Sequence, residues 1–265
     1  MIAKYERFIY TIITDCAAMG VFLAAGRDKG RSTEDAIDVS SRAAHPYRLF
    51  SPFTFSIDFR IPVPGQNAYA CSVESIWQGL KIIEGVPDFT LFTLKPRKRK
   101  GGVEGHLYGT EILGCYDARE KIYKPSYFFY LENYIGEELK DSILEKALDR
   151  AVTFYDVEDN VHPKHTSKSL AHSAYLKQWF EGYLEAKLKQ AAKALDSEYR
   201  KDELPLETVA EPVARAAETY RKSGSLAKKI IRHFLKNHPE VDEFHARFYE
   251  KLAEHIKAQK SFCAP

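Results

Sequence analysis

Between Arg48 and Ile83 the spacing of the apolar residues changes, and that change constrains the fold more than any other feature of the chain. Phe50, Phe53, Phe55, Ile57, Phe59 and Ile61 recur at or near every second position, which is the period of a half-buried strand. Pro62 and Pro64 then close the run ahead of Gly65-Gln66-Asn67, since proline removes a ladder donor and glycine supplies turn geometry. A β-hairpin or an edge strand is the expected structure. From Ser72 onward, Val73-Glu74-Ser75-Ile76-Trp77-Gln78-Gly79-Leu80-Lys81-Ile82-Ile83 has helical character. Ser72 is its N-cap candidate and Gly85 its terminator. A chain that sets a strand signal directly before a helix signal is expected to be α+β.

The remaining punctuation extends that reading. A buried helix is expected from Tyr5 toward Gly20, with Gly26 and the charged run Arg27 to Arg31 ending the region. Phe89 to Leu94 and Leu107 to Cys115 read as short strands around the loop Lys95-Pro96-Arg97-Lys98-Arg99-Lys100-Gly101-Gly102, which is expected to project into solvent. Apolar positions from Tyr127 to Val152 follow helical spacing. Asp156 to His165 reads as a loop, and a further helix is expected from near Thr166 or Ser167 to Leu195. Beyond Asp196, Pro205, Pro212, Gly224 and Pro239 separate amphipathic, charged segments.

Composition excludes more than it assigns. With 265 residues and 45% hydrophobic content the chain can bury a sizeable core. A net charge of +2 leaves any affinity for a polyanion to local patches. Cys16, Cys71, Cys115 and Cys263 lack C-x-x-C spacing, so reduced thiols are expected, with neither a disulfide framework nor a metal site. Thr11, Thr14, Asp15 and Gly20 interrupt the apolar stretch from Phe8 to Ala25, so no membrane span or signal peptide is expected, and the expected location is cytoplasmic. Gly101, Gly102 and Gly105 do not form G-x-G-x-x-G, and neither a P-loop nor G-x-S-x-G occurs.

On a helix, positions four and seven residues apart return to nearly one face, so Glu74, Gln78 and Lys81 are expected to form one polar stripe among Val73, Ile76, Trp77, Leu80 and Ile83. The ordinary fate of such charges is a solvated helix face. The alternative is a carboxylate beside apolar groups and a lysine, a pairing whose ionisation can be tuned for chemistry.

A resemblance favours the second reading. Phe50-Ser51-Pro52-Phe53, followed at Ser72 by Ser-Val-Glu-Ser-Ile-Trp-Gln-Gly-Leu-Lys, resembles the NADAR family, also called YbiA-like. Its members carry an F-S-N-F-type segment, a strand pair, and a helix of S-x-E-x-x-aromatic-Q-x-x-K character. Pro52 stands where that family has asparagine, while Glu74, Trp77, Gln78 and Lys81 keep the spacing. The likeness covers Arg48 to Ile83, and follows only the order of elements onward to Leu188. The later tryptophan-glycine and glycine-asparagine segments of that family are not recognisable. Their nearest candidates are Tyr155-Asp156 and Asp159-Asn160, then the helix containing Leu170, Tyr175 and Trp179.

The resemblance implies a mostly helical core with a small β-sheet over residues 1–195, followed by a C-terminal helical extension over 196–265. It also implies an N-glycosidase, without a cofactor, acting on an ADP-ribosylated or ribosylated base. Glu74 and Lys81 would then be catalytic. Phe50, Ser51, Phe53, Trp77, Gln78, Asp156, Asp159 and Asn160 would contact the ADP-ribose-like or nucleotide ligand. The missing later segments keep open a non-catalytic protein that binds ADP-ribose, a nucleotide or nucleic acid on the same scaffold. A partner-binding role for the terminal helices is a third reading.

Other clusters have simpler accounts. Lys95, Arg97, Lys98, Arg99 and Lys100 suit phosphates or nucleic acid, with a solvated hairpin tip as the alternative. His162, His165 and His172 near Asp156, Glu158 and Asp159 fit no standard metal spacing and read as a polar loop. Lys228, Lys229, Arg232 and Lys236 lie among Ile230, Ile231, Phe234 and Leu235, a basic amphipathic segment expected to pack on its own chain.

Overall fold

The computed structural model describes residues 22–149, 151–184 and 186. The helix expected at 5–20 and the extension expected at 196–265 lie outside the described residues. The chain divides into two compact units. One is formed by 22–143 and 152–180 and contains every candidate site residue named above. Of the other, the described residues are 144–149, 151, 181–184 and 186.

Among the described residues, helices and three small sheets make the architecture α+β. The first sheet is parallel, in the order β1 (Phe22–Ala25), β8 (Val152–Tyr155), β2 (Ile37–Asp38), with Phe22 opposite Val152 and Ile37 opposite Phe154. A hairpin of β3 (Ile61–Pro62) and β4 (Tyr69–Ala70) stands apart. The third sheet is antiparallel, β5 (Lys81–Ile82), β6 (Gly105–Tyr108) and β7 (Glu111–Leu113). Its turn is closed by Gly109 at a φ of 60, the left-handed region that glycine occupies without strain. Among the described residues no helix is long and apolar enough to cross a membrane.

Burial explains why β8 is a strand although the helical spacing runs up to its first residue, Val152. Val152, Thr153 and Phe154 are buried, and β-branched and aromatic side chains favour the pleated surface. Phe154 stacks on Phe22 at 5.9 Å and on Phe180 at 5.2 Å, and Phe180 meets Phe50 edge-on at 5.6 Å. The helix expected over Tyr127 to Val152 is therefore corrected to two helices and a strand. Helix α4 (Lys124–Tyr134) ends where Ile135 turns extended, and α5 (Glu137–Asp149) starts after Gly136, whose carbonyl accepts from Leu139 and Lys140.

Three further expectations are corrected. The charged run at 27–31 is itself a short helix, α1 (Arg27–Arg31), following strand β1. The period-two run from Phe50 is not a long strand: a 3-10 turn (Tyr47–Phe50) leads into bends, and only Ile61–Pro62 pairs. Its side chains find separate partners, with Phe59 packed on Tyr134 at 4.3 Å and Phe50 in the aromatic core, so local packing overrides the pattern. Phe89–Thr93 is a 3-10 turn, not a strand. Before α4, helix α3 (Cys115–Ala118) runs through one π-helical turn (Arg119–Tyr123), and α6 (173–184), the last helix among the described residues, begins later than expected.

Candidate active site

The two sequence segments that carry the likeness meet. The backbone N–H of Glu74 donates to the Pro52 carbonyl at 3.0 Å. Tyr127 and Tyr130 on α4 donate their hydroxyls to the carbonyls of Phe50 and Leu49. The segment is thus held by its backbone against α2 (Val73–Gly79). Ser72 caps that helix, its Oγ accepting from the Ser75 N–H at 3.0 Å, and Ser75 Oγ donates to the Leu94 carbonyl at 3.1 Å.

Glu74 and Gln78 lie one turn apart on the inner side of α2, 5% and 2% exposed. Gln78 Nε2 donates to Glu74 Oε1 at 2.6 Å, and Gln78 Oε1 accepts from Lys81 Nζ at 2.9 Å and from the Arg99 backbone N–H at 3.0 Å. The amide therefore joins the ammonium to the carboxylate without direct contact between the charges.

The expectation that one helix face carries all three residues is corrected, because α2 ends at Gly79 and Lys81 is on β5. At Gly79 a Cβ would fall 2.6 Å from the Phe92 ring, and its carbonyl accepts from Asp88. Close packing on Phe92 and pairing of Lys81 with His106 end the helix there. Lys81 reaches Gln78 from the strand.

Burial pushes the Glu74 carboxyl above its ordinary range, against the opposing hydrogen bond from Gln78 and the charge of Lys81. Burial likewise lowers Lys81, with Glu74 opposing and Lys98 and Arg99 reinforcing the shift. Burial thus disfavours charge on both groups, and each is the other's opposing charge.

Beside it, Trp77 is half-buried, with the His106 ring stacked on it at 3.8 Å and Tyr123 edge-on at 5.5 Å. His106 is 2% exposed, and neither ring nitrogen has a hydrogen-bond partner among the described residues. Burial, then the charges of Lys81 and Arg119, hold it neutral, with its pKa lowered to about 3.

The loop expected to project into solvent does so only in part. Lys95, Arg97, Lys98 and Lys100 are exposed. Arg99 folds inward, its guanidinium donating to the carbonyls of Gln78, Lys81 and Val86. Lys98 pairs with Glu158 at 3.3 Å. A groove lined by Ile83, Val86, Asp88, Arg97, Lys98 and Lys100 runs beside the loop.

The other expected ligand contacts are scattered. Phe50 is fully buried in the aromatic core, and Ser51 is buried with its Oγ accepting from the Phe53 N–H. Asp159 is exposed beside Gly26. Asn160 clasps its own loop, Nδ2 donating to the carbonyls of His165 and Lys168 and Oδ1 accepting from the His162 N–H.

Asp156 is buried against His172, with Oδ2 at 2.6 Å from Nδ1, so His172 leaves the polar loop assigned to it. Its Nε2 lies 2.9 Å from the Val39 carbonyl. Acceptors on both sides require both ring nitrogens to donate, which makes the ring an imidazolium. Burial opposes charge on each partner, but the mutual attraction prevails: His172 is raised and Asp156 lowered. Sequence spacing does not reveal this pair, nor the packing of His106 on Trp77. Among the described residues no cluster of three histidine, cysteine, aspartate or glutamate side chains could hold a metal.

Residues 28–176 match a family described as of unknown function, DUF6939. The chain belongs to this family. The DUF6939 stretch takes in Glu74, Gln78, Lys81, Arg99, His106 and the Asp156–His172 pair. No curated protein and no solved structure matches the chain.

Proposed function

We propose that the chain is an N-glycosidase that hydrolyses the bond between a ribose carbon and the base nitrogen of an ADP-ribosylated or ribosylated base, on a NADAR-like scaffold. The observation that carries this reading is the buried relay from Lys81 through Gln78 to Glu74, with 2.9 Å and 2.6 Å links, seated on the carbonyl of Pro52.

In the reaction the electrons of the carbon–nitrogen bond leave with the base and a water oxygen bonds to the ribose carbon. One water proton passes to an acceptor, and one proton reaches the departing nitrogen. The transition state carries oxocarbenium charge, which a carboxylate in a dry site stabilises strongly. Glu74 takes that role and accepts the water proton. Lys81 delivers a proton to the leaving base or holds a phosphate oxygen. Gln78 orients both. Arg97, Lys98 and Lys100 line a groove suited to the phosphates of the ligand. Trp77, expected to contact the ligand, already has one face covered by His106.

The test compares wild type with Glu74→Gln on ADP-ribosylated nucleic acid and on free ribosylated nucleotides, following base or ADP-ribose release. Release by wild type and a loss of about a hundredfold or more in the variant is expected for removal of such a carboxylate. Release that survives the substitution would sink the assignment.

One observation favours a second reading. Glu74 and Gln78 are almost wholly enclosed, and Glu74 Oε1 and both polar atoms of the Gln78 amide are occupied by the protein itself, which suits a non-catalytic ADP-ribose, nucleotide or nucleic-acid binder. Ligand binding without release from any substrate would favour it.

A further inference from the structure

The sheet β1-β8-β2 is parallel, so its strands end along one edge. In open parallel sheets the crevice beyond the carboxyl ends of the strands is where ligands bind. That edge carries a small cleft, separate in its lining from the groove of the basic loop. All three strand exits contribute. Arg27 and Arg31 follow β1, Asp38, Ser40 and Arg42 come from β2 and the turn after it, and Tyr155 and Asp156 end β8.

The guanidinium groups are set on a fixed frame. At Gly30 a Cβ would fall 2.2 Å from Tyr155 Cβ, and at Gly26 it would fall 2.7 Å from Asp159 Cα. The close approach of α1 to β8 explains two glycines in and beside a five-residue helix, where they otherwise cost stability. Arg27 and Arg31, four residues apart, share one face. Across the cleft Ser40 donates its N–H to Asp38 Oδ1 at 2.9 Å, and its Oγ accepts from the Arg42 N–H at 3.3 Å. Side chains thus build the turn that carries Arg42.

The charge balance is positive. The carboxylate of Asp156 is saturated by His172 Nδ1 and by the backbone N–H groups of Val157 and His172. Asp38 is the other carboxylate lining the cleft. Among the described residues neither Arg31 nor Arg42 has a carboxylate at ion-pair distance, and Arg27 meets Asp28 only at 3.5 Å; Arg31 hydrogen-bonds the Tyr155 hydroxyl, which is also bonded to Asp38.

We propose that this edge of the parallel sheet is a second binding site, for a phosphate monoester held by Arg27, Arg31 and Arg42 with the hydroxyl of Ser40, Tyr155 bracing Arg31 from its own bond to Asp38. Planar guanidinium forks match the oxygens of a phosphate better than a point charge does. The small cleft suits the phosphate group itself and leaves the rest of the ligand outside. A free sugar phosphate and the phosphorylated end of a nucleic acid both present this group.

The test is calorimetric titration of the full chain with inorganic phosphate, ribose 5-phosphate, and one oligonucleotide with and without a terminal phosphate. Saturable binding of phosphate and ribose 5-phosphate is expected, weakened about tenfold or more by Arg42→Ala and Arg31→Ala. Lys164→Ala, at an exposed lysine that lines neither the cleft nor the groove of the basic loop, should leave it unchanged. Binding of the sugar phosphate alone identifies a free ligand; binding also of the terminally phosphorylated strand identifies a nucleic-acid end. No saturable binding, equal losses at Arg42 and Lys164, or equally strong binding of the two oligonucleotides would overturn the proposal. Glu74→Gln should bind phosphate like wild type, so failure of the glycosidase reading and failure of this one are distinguishable. The arginines are exposed, so melting temperatures of the variants should match wild type.

Discussion

His106 is the residue whose position most needs a cause. Its ring is stacked on Trp77 and shut away from solvent, yet both nitrogens lack partners among the described residues. A buried polar group left unsatisfied costs about 1–3 kcal/mol, more than an aromatic stack of about 0.5–1.5 kcal/mol returns. Phenylalanine would keep the stack without the cost. On packing alone, then, His106→Phe should raise stability by about 1–3 kcal/mol, read as a shifted urea midpoint at unchanged slope. If the imidazole meets a ligand, the same variant should lose kcat/KM or affinity while gaining stability, the usual signature of a strained functional group. A destabilised variant would instead assign His106 a structural partner. A neutral imidazole, one donor and one acceptor, suits reading the edge of a base more than binding phosphate.

At the scale of elements, α2 depends on its cap. Ser72 satisfies the Ser75 N–H and touches the Ser75 hydroxyl at 2.8 Å, all buried, so no water can replace it. Ser72→Ala should cost about 1–2 kcal/mol in urea unfolding, and a loss below a few tenths would show that the cap is dispensable. This cap was legible in the sequence, as was the hairpin turn near Gly65. The polar side of α2 was legible in composition but not in geometry. Lys81 belongs to the stripe through a strand, because Gly79 packs on Phe92, and contacts from distant segments leave no periodic trace. For the same reason the helical spacing read from Tyr127 runs into Val152, the first residue of β8, whose strand character comes from Phe22, Phe180 and two parallel partners. Arg99 reads as one more loop charge until its guanidinium is seen on three carbonyls.

For the whole molecule the Asp156–His172 pair sets a pH window. The imidazolium joins the exit of β8 to Val39 after β2 and to the start of α6, so its charge state bears on the parallel sheet and not on one loop. His172 is raised above its ordinary 6.5 in the fold, so its stabilisation is complete below that value and is lost as pH rises through the folded pKa. Asp156 is lowered below 3.8, so its contribution is complete above that value and is lost as pH falls through the folded pKa. Glu74 works in the other sense for a carboxylate: burial raises it above 4.5, so its contribution erodes stability as pH rises from that value through the folded pKa. Unfolding free energy measured by urea between about pH 3 and 8 should therefore peak on the acid side of neutrality and decline in two stages. Glu74→Gln should remove the first stage, and His172→Gln the second. His172→Ala, which strands a buried carboxylate, should cost about 3–5 kcal/mol at the peak. A stability curve that rises steadily toward pH 8 would mean that the imidazole is neutral in the fold, and that the bond to Val39 is not donated by a charged ring.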